Sequence, residues 1–381
     1  MAGPDFAAFV YINFAYYMYF ASLANICRID SMAAFLVRLL EFEMIRRTFL
    51  ATSAAALIAA LAPVASVAQS PALKEVRLDY AFYSPSSLVI KKFGWAEQEF
   101  AKTGTQVRWV QSAGSNRALE FLAAGAVDFG STAGLAAVLS KANGNPIRAV
   151  YVYSQPEWTA LVVSKDSAIK TVADLKGKRI AATKGTDPFL FTLRALSQNG
   201  LHKKDVELVH LQHTDGRAAL EQGRVDAWAG LDPHMAASEL DAGTRLLYRN
   251  VNFNTYGFLN TTEKFAQENP EAVERVIRLY DRARSWIRSN HDEAAKILAD
   301  DAKISLPVAK RQLERTSFEE SVLAQKHAVA LKAASPILLE EGLVKNGTDV
   351  AKVVDDLVSL NKVFKAYAPS VGVSPVLAAL N

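Results

Sequence analysis

The chain has 381 residues, of which 50% are hydrophobic and 22% are charged, and its formal net charge is +4. This composition is typical of a soluble globular protein, and the length suffices for two domains of ordinary size. Because Lys and Arg are scattered and no basic run is interleaved with aromatic residues, nucleic acid is not an expected partner.

The first 43 residues have no clear role in a folded domain. They contain the uncharged aromatic run from Phe9 to Ile26, which is just long enough to span a bilayer, and the only cysteine, Cys27. We interpret residues 1–43 as an upstream extension outside the fold, with Met44 as the true start. The remaining chain then has no thiol, which excludes a disulfide scaffold, a zinc site with cysteine ligands and a cysteine nucleophile.

The segment from Met44 to Ser70 has the layout of a secretory signal. Arg46 and Arg47 precede an apolar run, and small residues stand at Ser66 and Ala68. This pattern predicts a signal peptide over residues 44–68, cleavage after Ala68 and a periplasmic location. The alternative, a core helix, is disfavoured because dense Ala and Ser followed by Pro63 would pack poorly. Both the Sec route and the twin-arginine route remain open.

From Val76 onwards, short apolar runs alternate with helical stretches, which predicts an α/β protein with largely parallel sheets. A helix is expected from Ser87 to Lys102, and Pro270 opens an amphipathic helix with Val273, Ile277 and Tyr280 on one face. After a probable strand from Tyr256 to Thr262, the chain is expected to be helical and to pack around the first unit. The predicted strands are Val76 to Ala81, Gln106 to Gln111, Val127 to Ser131, Ile147 to Tyr153, Ala160 to Ser164, Arg179 to Thr183, Val206 to Leu211 and Val225 to Gly230.

An internal echo supports two α/β units. The stretch from Ala118 to Gly134 and the stretch from Ala218 to Pro233 each show a helix ended by Gly, then Val-Asp entering a strand, then a loop. Two such units facing each other would form a cleft, since open α/β sheets bind ligands at the carboxyl ends of their strands.

The residues offer little for catalysis. The six histidines form no paired metal-ligand spacing, and neither a nucleophile elbow, a Walker lysine loop nor a dinucleotide fingerprint is present. His210 and His213, three residues apart, favour a surface or helix-capping role over metal ligation. No cofactor and no metal are therefore expected.

Four loops that follow strands are rich in small hydrogen-bonding residues. They are Phe82 to Ser87, Gln111 to Asn116, Gly130 to Gly134 and Lys184 to Pro188. N-capping of the following helices would explain any one of them. Four such loops at successive strand ends favour a shared polyatomic ligand bound by hydroxyl and backbone N–H groups.

Tyr83, Trp158, Trp228 and Asp232 lie at predicted strand ends near these loops. Trp228 is expected in the core. Asp232 and Pro233 would either cap a helix or direct a carboxylate at a ligand cation. Asp187 presents the same choice, because it would either cap its own helix or turn inward to a ligand ammonium or hydroxyl.

At these loops the chain resembles the substrate-binding proteins of ABC importers for aliphatic sulfonates, in the wider group with taurine- and nitrate-binding members. The resemblance runs from about Val76 to the C-terminus. It rests on "SAGSNRALEFLAAGAVDFGSTAG", "DSAIKTVADLKGKRIAATKGTD" and "RAALEQGRVDAWAGLDPHMAA".

The resemblance implies a type II periplasmic-binding-protein clamp, with two α/β domains and a helical C-terminal region. Residues 73–158 and 256–381 would form the first domain and residues 159–255 the second. The clamp would close on a small sulfonate-like ligand and dock, as a monomer, on a membrane permease. The implied ligand-binding residues are Tyr83, Ser84, Ser86, Ser112, Ala113, Gly114, Thr132, Gly134, Trp158, Gly185, Thr186, Asp187 and Asp232.

Several positions depart from the family pattern. Ala133-Gly134 replaces Gly-Asp, Leu231 replaces the Trp of Trp-Asp-Pro, and Thr186-Asp187 replaces Ser-Ser. A binding protein for nitrate or another small nitrogen or sulfur compound is therefore an alternative. An enzyme of cofactor-precursor biosynthesis on the same fold is another, and a sensory module anchored through Phe9 to Ile26 is a third.

Overall fold

The computed structural model describes residues 73–319 and 322–359. The expected extension 1–43 with Cys27, the signal peptide 44–68 and the last residues 360–381 lie outside this part of the chain. All described residues belong to one compact unit that begins at Ser70. Within the described residues, no helix combines the length and the apolar character needed to cross a bilayer.

Strands and helices alternate through most of this unit. The strands are β1 (Glu75–Tyr80), β2 (Gln106–Gln111), β3 (Phe129–Ala133), β4 (Ile147–Pro156), β5 (Leu161–Val163), β6 (Arg179–Ala181), β7 (Glu207–Val209), β8 (Ala227–Ala229), β9 (Arg245–Tyr248), β10 (Gly257–Thr262) and β11 (Thr316–Ser317). The helices are α1 (Pro85–Lys92), α2 (Trp95–Ala101), α3 (Ser115–Ala123), α4 (Gly134–Ala142), α5 (Asp187–Gln198), α6 (His213–Glu221), α7 (His234–Ala242), α8 (Glu263–Glu268), α9 (Pro270–Ser289), α10 (His291–Ala302), α11 (Leu306–Glu314), α12 (Gln325–Ala334), α13 (Pro336–Glu340) and α14 (Val350–Leu357).

The strands form two mixed sheets, so the prediction of largely parallel sheets is wrong: antiparallel pairs outnumber parallel ones because β5 and β10 run against their neighbours. The first has the order β11-β4-β10-β3-β1-β2, in which β1 pairs in parallel with β2 and β3 while β10 runs antiparallel to β3 and β4. The second has the order β7-β6-β8-β5-β9, with β6 parallel to β7 and β8 and β5 antiparallel to β8 and β9. The antiparallel strands β5 and β10 lie next to the chain segments that connect the two sheets.

The eight predicted strands and the strand expected near Tyr256 to Thr262 are confirmed, with shifts of a few residues at their ends. The single helix predicted from Ser87 to Lys102 is wrong, because two helices occupy this stretch. They are separated at Phe93 and Gly94, and Gly94 has a φ of 60°, a left-handed conformation that favours glycine. Strands β9 and β11 were not predicted.

The internal echo corresponds to the same set of contacts in both sheets. Asp128, directly before β3, accepts a hydrogen bond from the backbone N–H of Arg77 at 2.7 Å. Asp226, directly before β8, accepts one from the N–H of Arg179 at 2.8 Å. Each aspartate also donates its own N–H to the carbonyl of the same arginine. We call these two arrangements the Arg–Asp clasps, and they confirm that the repeat is structural.

The C-terminal helices pack on both sheets. The apolar face of α9 is buried as predicted, with Val273, Ile277 and Tyr280 inside the core of the first sheet. The expectation that this region packs around the first unit is wrong for α11, which packs on the second. Its Val308 packs on Ala236 and Ala237 of α7, which follows the second sheet.

Candidate functional site

Four helices begin directly after the polar loops identified in the sequence. Helices α1, α3, α4 and α5 have Ser84, Gly114, Ala133 and Thr186 at their N-cap positions, and none of the four has a side-chain N-cap hydrogen bond. Helix capping, the alternative explanation for these loops, is therefore wrong. Only two of the four N-cap residues, Ser84 and Thr186, have a hydroxyl, and neither hydroxyl caps its helix.

Three serine hydroxyls in these loops are buried. The Oγ atoms of Ser84, Ser86 and Ser112 make no hydrogen bond within 3.5 Å among the described residues, and each side chain is at most 2% exposed. Ser112 still lies near enough to Asp79, and Ser84 near enough to Tyr153, to favour the charged forms of these two groups, so only Ser86 has no polar group of this kind close to it. A buried hydroxyl without a hydrogen bond costs about 1–3 kcal/mol, so such groups call for an explanation. All three belong to predicted ligand loops, after β1 and after β2.

A buried polar cluster lies close to these loops. Both carboxylate oxygens of Asp79 accept the backbone N–H of Ser131 at 2.9 Å, and the Ser131 hydroxyl donates to Oδ1 at 3.0 Å. Burial raises the pKa of Asp79 to about 6, although the bonds from Ser131 favour its charged form. The hydroxyl of Tyr83 donates to the Ser131 carbonyl at 2.9 Å, which fixes the ring of this predicted site residue.

Tyr83, Trp158 and Asp187 form a continuous chain of contacts. The rings of Tyr83 and Trp158 meet edge to face with centroids 5.9 Å apart, and Nε1 of Trp158 donates to Oδ2 of Asp187 at 3.0 Å. Asp187 also accepts the N–H of Thr255 at 3.0 Å and its hydroxyl at 2.8 Å. Burial raises the pKa of Asp187, and its hydrogen bonds oppose this shift.

The expectation that Asp187 caps its helix is wrong, and a ligand contact by Asp187 stays a prediction. The residue is the first of α5 rather than its cap, and its carboxylate is occupied by Trp158 and Thr255. Thr186, at the cap position, donates its hydroxyl to the carbonyl of Thr183 at 2.6 Å. The loop therefore ties together the two segments that connect the sheets.

The predicted residues after β3 are engaged within the protein. Thr132 Oγ1 accepts from Nδ2 of Asn260 at 2.7 Å, and the N–H of Gly134 donates to the carbonyl of Tyr256 at 3.0 Å. A Cβ on Gly134 would lie 2.9 Å from Leu331, so this glycine allows close packing. Thr132 and Gly134 thus use these polar groups for hydrogen bonds to β10 and to the residue before it.

Gly185, which follows the second sheet, lies close to the loop that contains Gly114 and follows the first sheet. A Cβ on Gly185 would lie 3.5 Å from Cβ of Asn116, which stands two residues after Gly114. Gly114 adjoins His213, the first residue of α6, whose side chain is 1% exposed. His213 is thus buried, which corrects the expectation of a surface role. Ala113, between Ser112 and Gly114, is exposed.

Asp232 is buried beside an arginine from the C-terminal region. Its Oδ1 accepts the N–H of Ala236 at 2.9 Å and lies 3.5 Å from Nη1 of Arg315, while Glu239 pairs with the same guanidinium. The N–H of Asp232 donates to the Trp158 carbonyl at 3.0 Å, which links it to the aromatic pair. Burial raises the pKa of Asp232 to about 7 and Arg315 opposes that shift. Trp228, as expected, is a core residue.

An open groove with a volume of about 990 Å³ runs beside these loops. It is lined by uncharged polar and apolar residues in similar numbers and by a few charged ones. Among them are Asn116, Asn145, Lys184, Gly185, Gln212 and Asp215. Of the predicted site residues only Gly185 lines this groove, and the three buried serines do not. In the part of the chain described, no group of three His, Cys, Asp or Glu side chains has metal-binding geometry.

Sequence reasoning missed His213, Arg315 and the Asp79–Ser131 cluster as parts of the site. Arg315 lies 83 positions after Asp232 in a stretch without a motif, so only the packing of α11 on α7 brings the two together. For Asp79 a signal existed, since an acid inside an apolar strand needs a buried partner.

Comparison with known proteins identifies the family. The model of the NMT1/THI5 like family matches residues 94–294, more than half of the chain. An aliphatic sulfonates-binding protein of Escherichia coli strain K12 is 31% identical over 253 residues, which cover 65% of this chain and 78% of that protein.

Two solved structures share the fold. One is the alkanesulfonate-binding protein SsuA from Xanthomonas axonopodis pv. citri bound to MOPS, with 28% identity, a TM-score of 0.68, and coverage of 75% of this chain and 99% of that one. The other is the periplasmic aliphatic sulphonate binding protein SsuA from Escherichia coli, with 28% identity, a TM-score of 0.63, and coverage of 74% and 91%. The predicted α/β periplasmic-binding-protein fold is confirmed, and the chain belongs to the NMT1/THI5-like family.

Proposed function

We propose that this protein is the extracytoplasmic solute-binding component of an ABC importer. It binds a small aliphatic sulfonate, or a related organic anion, between its two sheets and delivers the ligand to a membrane permease. The names of its relatives support this function, and so does the chemistry of the strand-end loops.

The observation that carries the proposal is the set of partnerless hydroxyls on Ser84, Ser86 and Ser112. A sulfonate offers three acceptor oxygens, and buried hydroxyl and N–H donors suit it without a compensating cation. Ser84 and Ser86 stand at the N-cap and second positions of α1, where the helix dipole favours negative charge.

Isothermal titration calorimetry of the purified protein with alkanesulfonates, taurine and nitrate tests the ligand class. We expect heat with at least one sulfonate and a roughly tenfold weaker affinity for Ser86→Ala, the typical effect of one lost hydrogen bond. Ser289→Ala, at an exposed serine that ends α9, is the matched control and should bind as the wild type does. No heat with any sulfonate would overturn the assignment, and heat with nitrate alone would favour the nitrate alternative.

We further propose that residues 73–158 with 256–381 and residues 159–255 act as two domains that close on the ligand. Trp158 and Thr255 stand at the proposed boundaries, and both bind Asp187. Small-angle scattering should show a smaller radius of gyration with ligand, whereas an unchanged radius would contradict closure.

The protein is proposed to be a monomer that is exported by the signal peptide 44–68 and does not alter its ligand. The mature protein recovered from the periplasm should begin at Gln69. Ligand incubated with the protein and recovered should be chemically unchanged, and turnover would instead support the enzyme alternative.

A further inference from the structure

The side chain of His213 lies beside the predicted ligand loop that contains Gly114. Its Nε2 is buried and has no hydrogen-bond partner among the described residues. An ideally placed Cβ on Gly114 would lie 2.9 Å from this nitrogen, so Nε2 points at the one backbone position in the loop that lacks a side chain.

The hydrogen bonds of Thr183 decide which ring nitrogen of His213 carries the proton. The Thr183 hydroxyl donates its only proton to the carbonyl of Leu211 at 2.7 Å. The same oxygen lies 3.2 Å from Nδ1 of His213 and therefore accepts from Nδ1–H. In the neutral imidazole Nε2 is then an acceptor. Burial, together with the charge of His234, lowers the pKa of His213 to about 3, so the ring is neutral at physiological pH.

A second acceptor converges on the same point. Oδ1 of Asn116 is also buried without a partner among the described residues, and it too lies 2.9 Å from the Cβ position of Gly114. Two buried acceptors beside Gly114 call for a donor within reach of both, since unpaired buried acceptors are costly. No donor from the described residues fills this role.

We propose that Nε2 of His213 and Oδ1 of Asn116 form an acceptor pair for a hydroxyl or amine group of the ligand, so that the protein prefers sulfonates with such a donor over plain alkanesulfonates. This inference rests on the proposed function. Gly114 follows Ser112 by two residues in the same predicted ligand loop. Asn116 and Thr183, which flank His213, also line the open groove.

Calorimetry with two ligands of equal size tests the preference. In 2-hydroxyethanesulfonate a hydroxyl replaces the terminal methyl group of propane-1-sulfonate. We expect the wild type to bind the hydroxyl compound about tenfold more tightly, as one additional hydrogen bond predicts. Equal affinities would overturn the inference but leave the proposed function intact, whereas failure to bind either compound or any other sulfonate would remove both.

Three variants isolate Nε2. His213→Asn retains an N–H that can donate to Thr183 but has no atom in the place of Nε2, so its ratio of affinities for the two compounds should fall to about one. His213→Gln carries an amide that reaches this place and should restore part of the preference. His291→Leu is the matched control, because His291 is also the first residue of a helix but is exposed. A preference that survives in His213→Asn would contradict the role of His213.

Nitrogen NMR of the wild type provides a test that does not depend on the folding of a variant. The Nε2 resonance of His213 should be that of an unprotonated nitrogen without a hydrogen bond, and it should shift with 2-hydroxyethanesulfonate but not with propane-1-sulfonate. A hydrogen-bonded Nε2 that no ligand perturbs would show that the Asn116 amide already supplies the donor, and would overturn the proposal.

Discussion

Trp158 donates its indole N–H to Oδ2 of Asp187 across 3.0 Å, and the same oxygen accepts the backbone N–H of Thr255. Trp158 leads from the first sheet to the second, and Thr255 leads back. One carboxylate therefore holds both connections at the start of α5. A substitution of Asp187 therefore affects both of the segments about which the proposed closure would occur.

Asp187→Asn should destabilise the protein. Its carboxylate accepts three hydrogen bonds, and an amide in the same place would direct its NH2 group at one or more of these donors. We expect the free energy of unfolding in urea to fall by about 2–3 kcal/mol. Asp166→Asn, at an exposed position, is the matched control and should change stability by less than about 0.5 kcal/mol. Equal effects of the two substitutions would show that the three bonds carry no net stability.

Arg315→Met should also destabilise, for an electrostatic reason. The substitution leaves the buried Asp232 and the largely buried Glu239 without the cation that they share. Breaking a buried ion pair from one side costs about 3–5 kcal/mol, so chemical denaturation should show a loss of this order. Arg315→Lys should recover part of the lost stability. It restores the positive charge, but a single ammonium group cannot place one nitrogen at Asp232 and another at Glu239. Similar stability for Met and Lys would contradict a role for the charge.

Gly114→Ala should lower stability and weaken ligand binding. The φ of Gly114 is 173°, an extended conformation that alanine adopts, but the new methyl would lie 2.9 Å from His213 Nε2 and Asn116 Oδ1. Overpacking of this kind costs about 1–3 kcal/mol of folding stability. Displacement of the two acceptors should also weaken the affinity for 2-hydroxyethanesulfonate by roughly tenfold, the effect of one lost hydrogen bond. Calorimetry and thermal unfolding measure the two effects separately. Unchanged affinity would mean that no ligand group approaches Gly114.

Asp79→Asn should alter how stability depends on pH. The pKa of Asp79 rises from 3.8 to about 6 on folding, so between these values the folded protein holds a proton that the unfolded chain has released. Stability from this group is therefore complete below pH 4 and is lost as the pH rises through 6. Compared with Asp79→Asn, which does not titrate, the wild type should lose about 2 kcal/mol between pH 4 and pH 7. A difference between the two proteins that is constant with pH would contradict this.

Patterns within short stretches predicted most of the secondary structure. The apolar runs that became β1 to β8 are buried on both faces or alternate with period two, and either pattern is visible locally. The break between α1 and α2 was missed because apolar residues continue through Phe93 and Trp95, and only the backbone of Gly94 marks the turn. Strand β9 was missed because it is only half buried.

The site was predictable in its loops but not in its contacts. Ser84, Ser86 and Ser112 follow strands directly, so their residue types and positions indicated a polar ligand. The roles of Asp187 and His213 depend on partners 68 and 30 residues away, Thr255 and Thr183. Such pairings are set by how the two sheets and their connections pack, and no local pattern in the sequence encodes them.

The two Arg–Asp clasps and the predicted ligand loops lie at opposite ends of the strands. Each clasp joins an arginine of one strand to the aspartate directly before a neighbouring strand. It therefore holds the two strands together at the end where β3 or β8 begins. The ligand loops occupy the opposite edge, where strands end. A substitution in those loops therefore leaves the hydrogen bonds of both clasps in place.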